Sequence, residues 1–221
     1  MNKFNGQAEQ DKFILNILNF KKNGYFIEIG SNHPVSINNT YLLEKDYNWK
    51  GIMIEYSNKW LNGYKQLRQN SIHIINDATK IDYKKMFQNN DVPNNIDYLQ
   101  IDLEPANGST LATLKKIDNE VMDNHKFATI TFEHDCRKDL YHLDIIQKTR
   151  IESRKILKER GYFCLFEDIH NFHPDYTYED WYVHPELVNM DYVRLLKNKN
   201  LKNYTENSYL GKSINWKDII Y

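Results

Sequence analysis

Acidic residues end or follow the apolar segments of this sequence one after another, and their side chains could act together. Carboxylates accept protons, hold hydroxyl groups and bind hard cations, and histidine adds a group that titrates near neutral pH. The residues in question are Glu28, Glu55, Asp77, Asp102, Glu104, Glu133 and Asp135, with His134 between the last two. This set predicts a site that attracts positive charge and hydroxyl groups.

The apolar segments beside these acids have the length and composition of buried strands. Most are continuous apolar runs of four to six residues. Such runs are expected of strands that are covered on both faces of a parallel sheet. The predicted strands span residues 24–30, 51–55, 72–76, 96–103, 127–132 and 162–166.

Amphipathic segments lie between the predicted strands, with apolar residues three and four positions apart. They predict helices over residues 11–19, 39–45, 58–69, 109–117 and 143–160, the last followed by Gly161, a residue suited to a helix C-terminus. Strands that alternate with helices are typical of right-handed βαβ units. We therefore expect an α/β fold with a doubly wound, Rossmann-like, mostly parallel sheet and helices on both faces.

The carboxyl ends of parallel strands form one edge of the sheet, where ligands bind at the switch in strand order. Glu55 lies 25 positions after Gly30, a spacing that suits a carboxylate bound to the hydroxyls of a ribose. An acidic edge would repel a pyrophosphate and favour a cationic cofactor with a ribose, such as S-adenosylmethionine. The dinucleotide fingerprint is absent, because Gly30 is followed by no glycine until Gly51. Each acid taken alone could equally cap a helix, and this alternative stays open for Glu55 and Asp77.

The composition indicates one soluble domain. The 221 residues correspond to about one domain at ~150 residues each, and 29 basic against 30 acidic residues give a net charge of −1. This balance argues against a nucleic-acid partner, which favours a basic surface.

Two cysteines fit a reducing compartment, and no apolar stretch approaches the roughly 20 residues of a membrane span or forms an N-terminal signal peptide. We expect a cytoplasmic protein, and the abundant Asn, Lys, Ile and Tyr would fit a low-GC microbe or a large DNA virus.

Several segments occur in the order and spacing of a known enzyme family. The chain resembles the FkbM-type S-adenosylmethionine-dependent methyltransferases over about residues 7–188. The resemblance rests on Gln10-Asp11, residues 24–32, Asn39-Thr40, Leu43-Glu44, residues 49–55 and residues 97–104, with further agreement at Gly161-Tyr162 and residues 180–185. The chain departs from the family at His33-Pro34, where Asp-Gly is usual, and at Pro105, where glycine is usual.

The resemblance implies a sheet of about seven strands in a single methyltransferase domain over residues 1–221. Residues 1–23 would form an N-terminal helical segment, and residues 189–221 a polar C-terminal extension that docks as a helix or stays loose. The residues that the resemblance assigns to the cofactor are Glu28, Gly30, Ser31, Asn32, Glu55, Tyr56, Asp77, Ala78 and Asp102. Gly30 would admit the methionine part, Glu55 would bind the ribose, Tyr56 would pack on the adenosine, and Asp77 with Ala78 would recognise the adenine.

The reaction that the resemblance implies is in-line displacement of a methyl group by a hydroxyl oxygen, aided by alignment and a nearby base. Asp102 and His134 are the predicted base candidates, and Glu133 is the third catalytic candidate. Asp102, Glu133 and Asp135 could also hold a divalent ion such as Mg²⁺. Acidic loops without an ion are the alternative.

The predicted function is therefore methyl transfer to a hydroxyl of a small molecule, most simply a sugar or glycan. The aromatic segment 167–185 would stack on a sugar face or merely cover the sheet. Two alternatives stay open, a catalytically inactive partner or scaffold protein and a ribose 2′-O methyltransferase of nucleic acids. A homo-oligomer is compatible with the sequence, and no membrane partner is expected.

Overall fold

The computed structural model describes residues 4–137, 139–140, 143–170 and 175–206, with side chains described as far as residue 198. Within these ranges seven strands form one sheet: β1 (Tyr25–Ile29), β2 (Lys50–Glu55), β3 (Ser71–Ile75), β4 (Asn95–Ile101), β5 (Lys126–Glu133), β6 (Phe163–Ile169) and β7 (Glu179–Val183). The α-helices of the same ranges are α1 (Gln10–Ile17), α2 (Tyr41–Tyr47), α3 (Leu61–Leu67), α4 (Tyr83–Asn89), α5 (Ser109–Glu120), α6 (Asp144–Glu159) and α7 (Met190–Glu206).

The strands lie in the order β3-β2-β1-β4-β5-β7-β6. The first five pair in parallel, whereas β7 runs antiparallel to both β5 and β6. The order reverses between β1 and β4, which places the switch point at the ends of these two strands. The prediction of a doubly wound, mostly parallel sheet of about seven strands is confirmed.

Helices cover both faces of the sheet, as predicted. One apolar cluster joins one face to α4, α5 and α6 through residues such as Phe87, Leu114 and Leu157. The other joins the opposite face to α1, α2, α3 and α7 through residues that include Phe13, Leu43, Tyr64 and Val193. Neighbouring residues of a strand enter different clusters, because successive side chains point to opposite faces.

Two elements were missed by the sequence patterns. The segment 167–185, interpreted as stacking on a sugar face or covering the sheet, contains β7, whose five residues are all buried. Its acidic residues concealed it, because Glu179 and Asp180 are buried while they accept hydrogen bonds from partners that include Trp181 and Arg154. Helix α4 is only seven residues long and is capped by the preceding Asp82, whose side chain accepts from the Lys85 amide.

The two ends of the described chain pack onto the sheet. Phe13 of α1 stacks on Trp181 of β7 with ring centroids 4.6 Å apart. Val193 and Leu196 of α7 are fully buried, so the first part of the polar C-terminal extension docks as a helix. The rest of that extension lies outside the described residues. Among the helices that the structure describes, none has the length and apolar character of a membrane span.

Candidate functional site

A cleft of about 450 Å³ opens at the switch point, where β1, β2 and β4 end. The predicted residues on its wall are Gly30, Ser31, Asn32, Glu55 and Asp102. They are joined there by Gln7, Ile37, Asn38, Ser57, Lys59, Trp60, Gln100 and Leu103. The fold therefore brings together the residues that follow three different strands, as expected of the carboxyl edge of a parallel sheet.

Gly30 lets the chain turn sharply at the base of this cleft. Its φ is +84°, and a Cβ atom there would lie 1.7 Å from the Asp102 carbonyl oxygen. The amide of Gly30 donates to the Ile54 carbonyl at 2.9 Å, and the Asp102 amide donates to the Ile29 carbonyl at 3.0 Å. Any larger residue would push the ends of β1 and β4 apart, so the floor of the cleft requires glycine.

Glu55 is held with its carboxylate at the cleft by two backbone amides. Asn32 donates to Oε2 and Ser57 donates to Oε1, both at 2.9 Å. Each carboxylate oxygen has more than one lone pair, so both can still accept from a ligand hydroxyl. The geometry fits a carboxylate that binds the adjacent hydroxyls of a ribose.

A second opening of about 660 Å³ continues the cleft on the other side of Leu103. Its wall includes the predicted residues Tyr56, Asp77 and Ala78. Tyr56 is 77% exposed, and its ring is available to a flat ligand group. The two openings share Leu103, and their walls together include residues from Ser31 to Asp77.

Asp77 also performs the capping role that the sequence left open. Its Oδ1 accepts from the Thr79 amide at 3.0 Å and from the Thr79 hydroxyl at 2.7 Å. The side-chain hydrogen bond from Thr79 and the ion pair with Lys80 hold the pKa of Asp77 below its ordinary value. Asp77 is therefore an ionised cap that lies on the wall of the second opening.

Three carboxyl groups lie side by side on neighbouring strands. Asp102 directly follows β4 at the level of Glu133, and Glu133 pairs with Glu179 across β5 and β7. Asp102 and Glu133 are hydrogen-bonded to each other, which requires that they share a proton. Burial raises the pKa of both, and the charge of Asp102 raises that of Glu133 further. Asp102 lines the cleft, so this pair can exchange a proton with a bound molecule.

His134 does not face this cleft, and the prediction of His134 as a base beside Asp102 is corrected. The imidazole is fully buried on the opposite face of the sheet, with Nε2 3.4 Å from Asp180 and 3.6 Å from Asp168. Glu133 and His134 are consecutive residues, so their side chains leave the strand in opposite directions. Of the three catalytic candidates, the structure brings together only Asp102 and Glu133.

The predicted metal set of Asp102, Glu133 and Asp135 is not assembled either. Among the described residues, the histidine and carboxylate ligand atoms that converge belong to His134, Asp168 and Asp180. Arg150 and Arg154 already bind these two aspartates through paired hydrogen bonds. Although burial acts to raise it, the Arg154 hydrogen bonds hold the pKa of Asp180 well below its ordinary value. Two guanidinium groups would repel a cation, so this cluster suits an ion-pair network better than a metal.

Glu28 lies beneath the cleft and not on its surface. Its side chain is fully buried, and Asn38 donates to Oε2 at 3.1 Å. Burial raises the pKa of Glu28, and Arg68 acts in the opposite direction. Direct contact between Glu28 and a ligand in the cleft would need a side-chain rearrangement.

The two departures from the family pattern leave the cleft open. Pro34 lies in an irregular loop, and its neighbour Asn32 supplies a positive φ of 49° in the turn. Pro105 is the first residue of a short 3₁₀ turn, a position that needs no amide hydrogen. Pro105 thus occupies a position compatible with its fixed φ.

Several wall residues were not predicted from the sequence. Gln100 precedes Asp102 by two positions, and the strand period of two would have placed it on the same face. Lys59 and Trp60 follow Glu55 closely, and Lys59 lies 4.3 Å from the Trp60 ring centroid. Ile37 and Asn38 lie in an irregular loop, where no periodicity indicates which side chain faces the cleft.

The fold is that of the Rossmann-like methyltransferases. Similar solved structures include the N-methyltransferase NodS from Bradyrhizobium japonicum, with a TM-score of 0.52 and 9% identity over 81% of this chain and 96% of that chain. Another is magnesium protoporphyrin IX methyltransferase from Synechocystis with bound S-adenosylhomocysteine, with a TM-score of 0.52 and 12% identity over 80% of this chain and 82% of that chain. At these identities the likeness establishes the fold alone.

No family model matches the sequence, and no curated protein matches it. The resemblance to the FkbM-type family therefore stays a prediction.

Proposed function

We propose that this chain is an S-adenosylmethionine-dependent methyltransferase that transfers a methyl group to a hydroxyl oxygen of a sugar or glycan. The observation that carries the proposal is the cleft at the switch point, where Gly30 permits the tight turn at the floor and Glu55 presents a doubly anchored carboxylate. Solved structures with the same fold that are methyltransferases support the reaction class.

Different wall residues would contact different parts of this cofactor. Glu55 binds the ribose hydroxyls, and Ser31 and Asn32 offer polar groups to the methionine part. Tyr56 packs on the adenine, and Asp77 accepts from its amino group. The missing side chain of Gly30 lets the backbone at the floor of the cleft pack directly against the Asp102 carbonyl, which a Cβ atom would overlap.

The acidic wall suits both reactants. S-adenosylmethionine, when bound, supplies a methyl group on a positively charged sulfur. Asp102 stabilises that charge and orients the acceptor hydroxyl by accepting its hydrogen bond. As the acceptor oxygen forms its bond to the methyl carbon, the bond from that carbon to sulfur breaks, and the hydroxyl proton goes to Asp102. Glu133 holds Asp102 in place through their shared proton.

A neutral polyhydroxyl acceptor fits this environment better than a polyanion. Asp102, Glu55 and Glu133 lie at or beside the cleft, and Lys59 is the cation among the wall residues. Phosphate-rich acceptors would be repelled by these carboxylates. The net charge of −1 agrees with an acceptor that is not a polyanion.

The test is methyl transfer from isotopically labelled S-adenosylmethionine to a panel of monosaccharides and oligosaccharides. Matched amino sugars and a short RNA serve as comparison acceptors. Label on a hydroxyl oxygen, identified by mass spectrometry, supports the proposal. Label only on nitrogen or only on RNA overturns the choice of acceptor, and binding of the cofactor without transfer to any panel member contradicts the sugar assignment.

A further inference from the structure

The loop of residues 31–40 forms one side of the cleft. Ser31, Asn32, Ile37 and Asn38 all contribute to its wall. The loop joins β1 to α2 and contains no regular hydrogen-bonded element. Its shape therefore depends on side chains, some within the loop, such as His33 and Asn38, and some that bind it from outside.

The backbone of this loop is strained at Ile37. This residue has a φ of +49°, a conformation that β-branched side chains rarely adopt, and its side chain is 60% exposed. A strained residue persists only when surrounding contacts enforce it. The next residue, Asn38, is by contrast buried, and its side-chain oxygen is tightly bound.

Arg68 is the side chain that binds this loop at several points. Its Nη1 donates to the Asn38 Oδ1 at 2.8 Å and to the Pro34 carbonyl at 3.3 Å, and its Nη2 donates to the Thr40 Oγ1 at 2.6 Å. Its Nε donates to Glu44 of α2 at 2.8 Å. One planar guanidinium thus binds three loop residues and the helix that follows.

The environment of Arg68 directs its guanidinium toward the loop and away from solvent. The residue is fully buried directly after α3, and its charge is balanced by Glu44 at 2.8 Å and by Glu28 at 4.0 Å. A buried guanidinium is costly unless its donors are satisfied, so each loop contact also stabilises the burial of Arg68. Thr40 and Glu44 belong to the short segments that carry the family resemblance, and neither lies on the cleft wall.

We propose that Arg68 is a positioning residue, which fixes the loop of residues 31–40 in the conformation that binds S-adenosylmethionine. The ligand in this inference rests on the proposed function. The role of Arg68 in ordering the loop rests on the contacts alone.

The test compares Arg68→Lys and Thr40→Val with Leu157→Ala. Lysine retains the charge but cannot make the four contacts together, and valine removes only the hydroxyl, which accepts from Arg68 and donates to Asn38 within the loop. Leu157 is fully buried on the opposite face of the sheet, so its truncation destabilises the fold without touching the loop. Each protein is measured by thermal unfolding, by hydrogen exchange of residues 31–40 and by titration calorimetry with S-adenosylmethionine.

Arg68→Lys and Thr40→Val should speed exchange of the loop amides at least about tenfold and weaken cofactor affinity by a similar factor. Leu157→Ala should change the exchange rate of the loop amides and the cofactor affinity by no more than about twofold. Its melting temperature should fall by as much as that of the other two variants or by more. Equal weakening of cofactor affinity in Leu157→Ala, or unchanged exchange of the loop amides in Thr40→Val, would overturn the inference.

If the unmodified protein binds no S-adenosylmethionine, the proposed function fails, and the exchange data alone decide the role of Arg68. Thr40→Val keeps the test valid should Arg68→Lys not fold.

Discussion

At the scale of single residues, the chemistry of the cleft depends on the Asp102–Glu133 pair. The two carboxyl groups share a proton, and burial raises the pKa of each. Asp135 and Glu55 raise the pKa of Asp102 further, Asp135 and Glu179 raise that of Glu133, and Arg137 lies beside Asp135. The pair therefore gains negative charge as the pH rises through its raised pKa.

Affinity for S-adenosylmethionine should consequently increase with pH, because the ionised pair attracts the sulfonium more strongly. The increase should not exceed about tenfold per pH unit, the limit for one linked proton. Titration calorimetry between about pH 5 and 9 measures it, and S-adenosylhomocysteine, whose sulfur is neutral, is the control ligand. A pH dependence that is identical for both ligands would show that the pair does not sense the sulfonium.

The opposite orientations of Asp102 and His134 predict different effects of their substitution. Asp102→Asn should lower turnover at least about a hundredfold, the usual contribution of a general base. His134→Ala should lower the melting temperature, because His134 packs against Asp168 and Asp180, while turnover stays within about threefold. Steady-state kinetics with the identified acceptor and thermal unfolding give the two measurements. The reverse pattern would restore His134 as the base.

Part of this site was predictable from the sequence, and the error at His134 was avoidable. Gly30, Glu55 and Asp102 were found because each directly follows or ends an apolar segment. The strand period of two, applied to Glu133 and His134, places their side chains on opposite faces from the sequence alone. Arg68 was beyond prediction, because its partners lie 24 to 34 positions away and follow no local pattern.

At the scale of elements, Glu179 links β7 to α1. Its Oε1 accepts from Gln10 of α1 at 2.7 Å and from the Trp181 indole at 2.8 Å. Burial raises the pKa of Glu179 from 4.5 to about 8. Because the folded protein binds this proton more tightly than the unfolded chain, the contribution of Glu179 to stability falls as the pH rises from 4.5 to about 8.

Glu179→Gln should therefore flatten the pH dependence of stability. Glutamine keeps the acceptor oxygen for Gln10 and Trp181 but carries no charge. The melting temperature of the variant should exceed that of the unmodified protein above about pH 8 and approach it near about pH 5. Thermal unfolding at the two pH values tests this expectation, with the surface variant Glu186→Gln as control. A variant that is less stable at both values would mean that the charge of Glu179 stabilises the fold.

Strands and helices differed in how well the sequence predicted them. Most of the parallel strands were visible because both of their faces are covered, which produces unbroken apolar runs. Strand β7 was not visible in the sequence, because it begins with two acidic residues. Glu179 and Asp180 are buried there because residues of distant helices donate hydrogen bonds to them. The helix predicted over residues 58–69 begins as a 3₁₀ turn, and α3 covers only Leu61–Leu67.

At the scale of the whole molecule, the near-neutral composition conceals an uneven distribution of charge. The net charge is −1, yet Glu55, Asp102, Glu133 and Glu179 lie near one edge of the sheet. Glu55, Asp102 and Glu133 lie there because parallel strands end at that edge, and Glu179 lies there because antiparallel β7 begins there, so the topology itself concentrates the acids. This is why the sequence predicted that the cleft is acidic better than it predicted which residues contact one another there.

Titration calorimetry with S-adenosylmethionine, on the unmodified protein and on Glu55→Ala, tests the central claim most directly. Glu186→Ala is the matched control, because Glu186 is exposed and pairs with Lys126, the first residue of β5, away from the carboxyl edge. We expect binding by the unmodified protein and by Glu186→Ala, and at least about tenfold weaker binding by Glu55→Ala. No binding by the unmodified protein at millimolar ligand, or equal affinity in Glu55→Ala, would contradict the account.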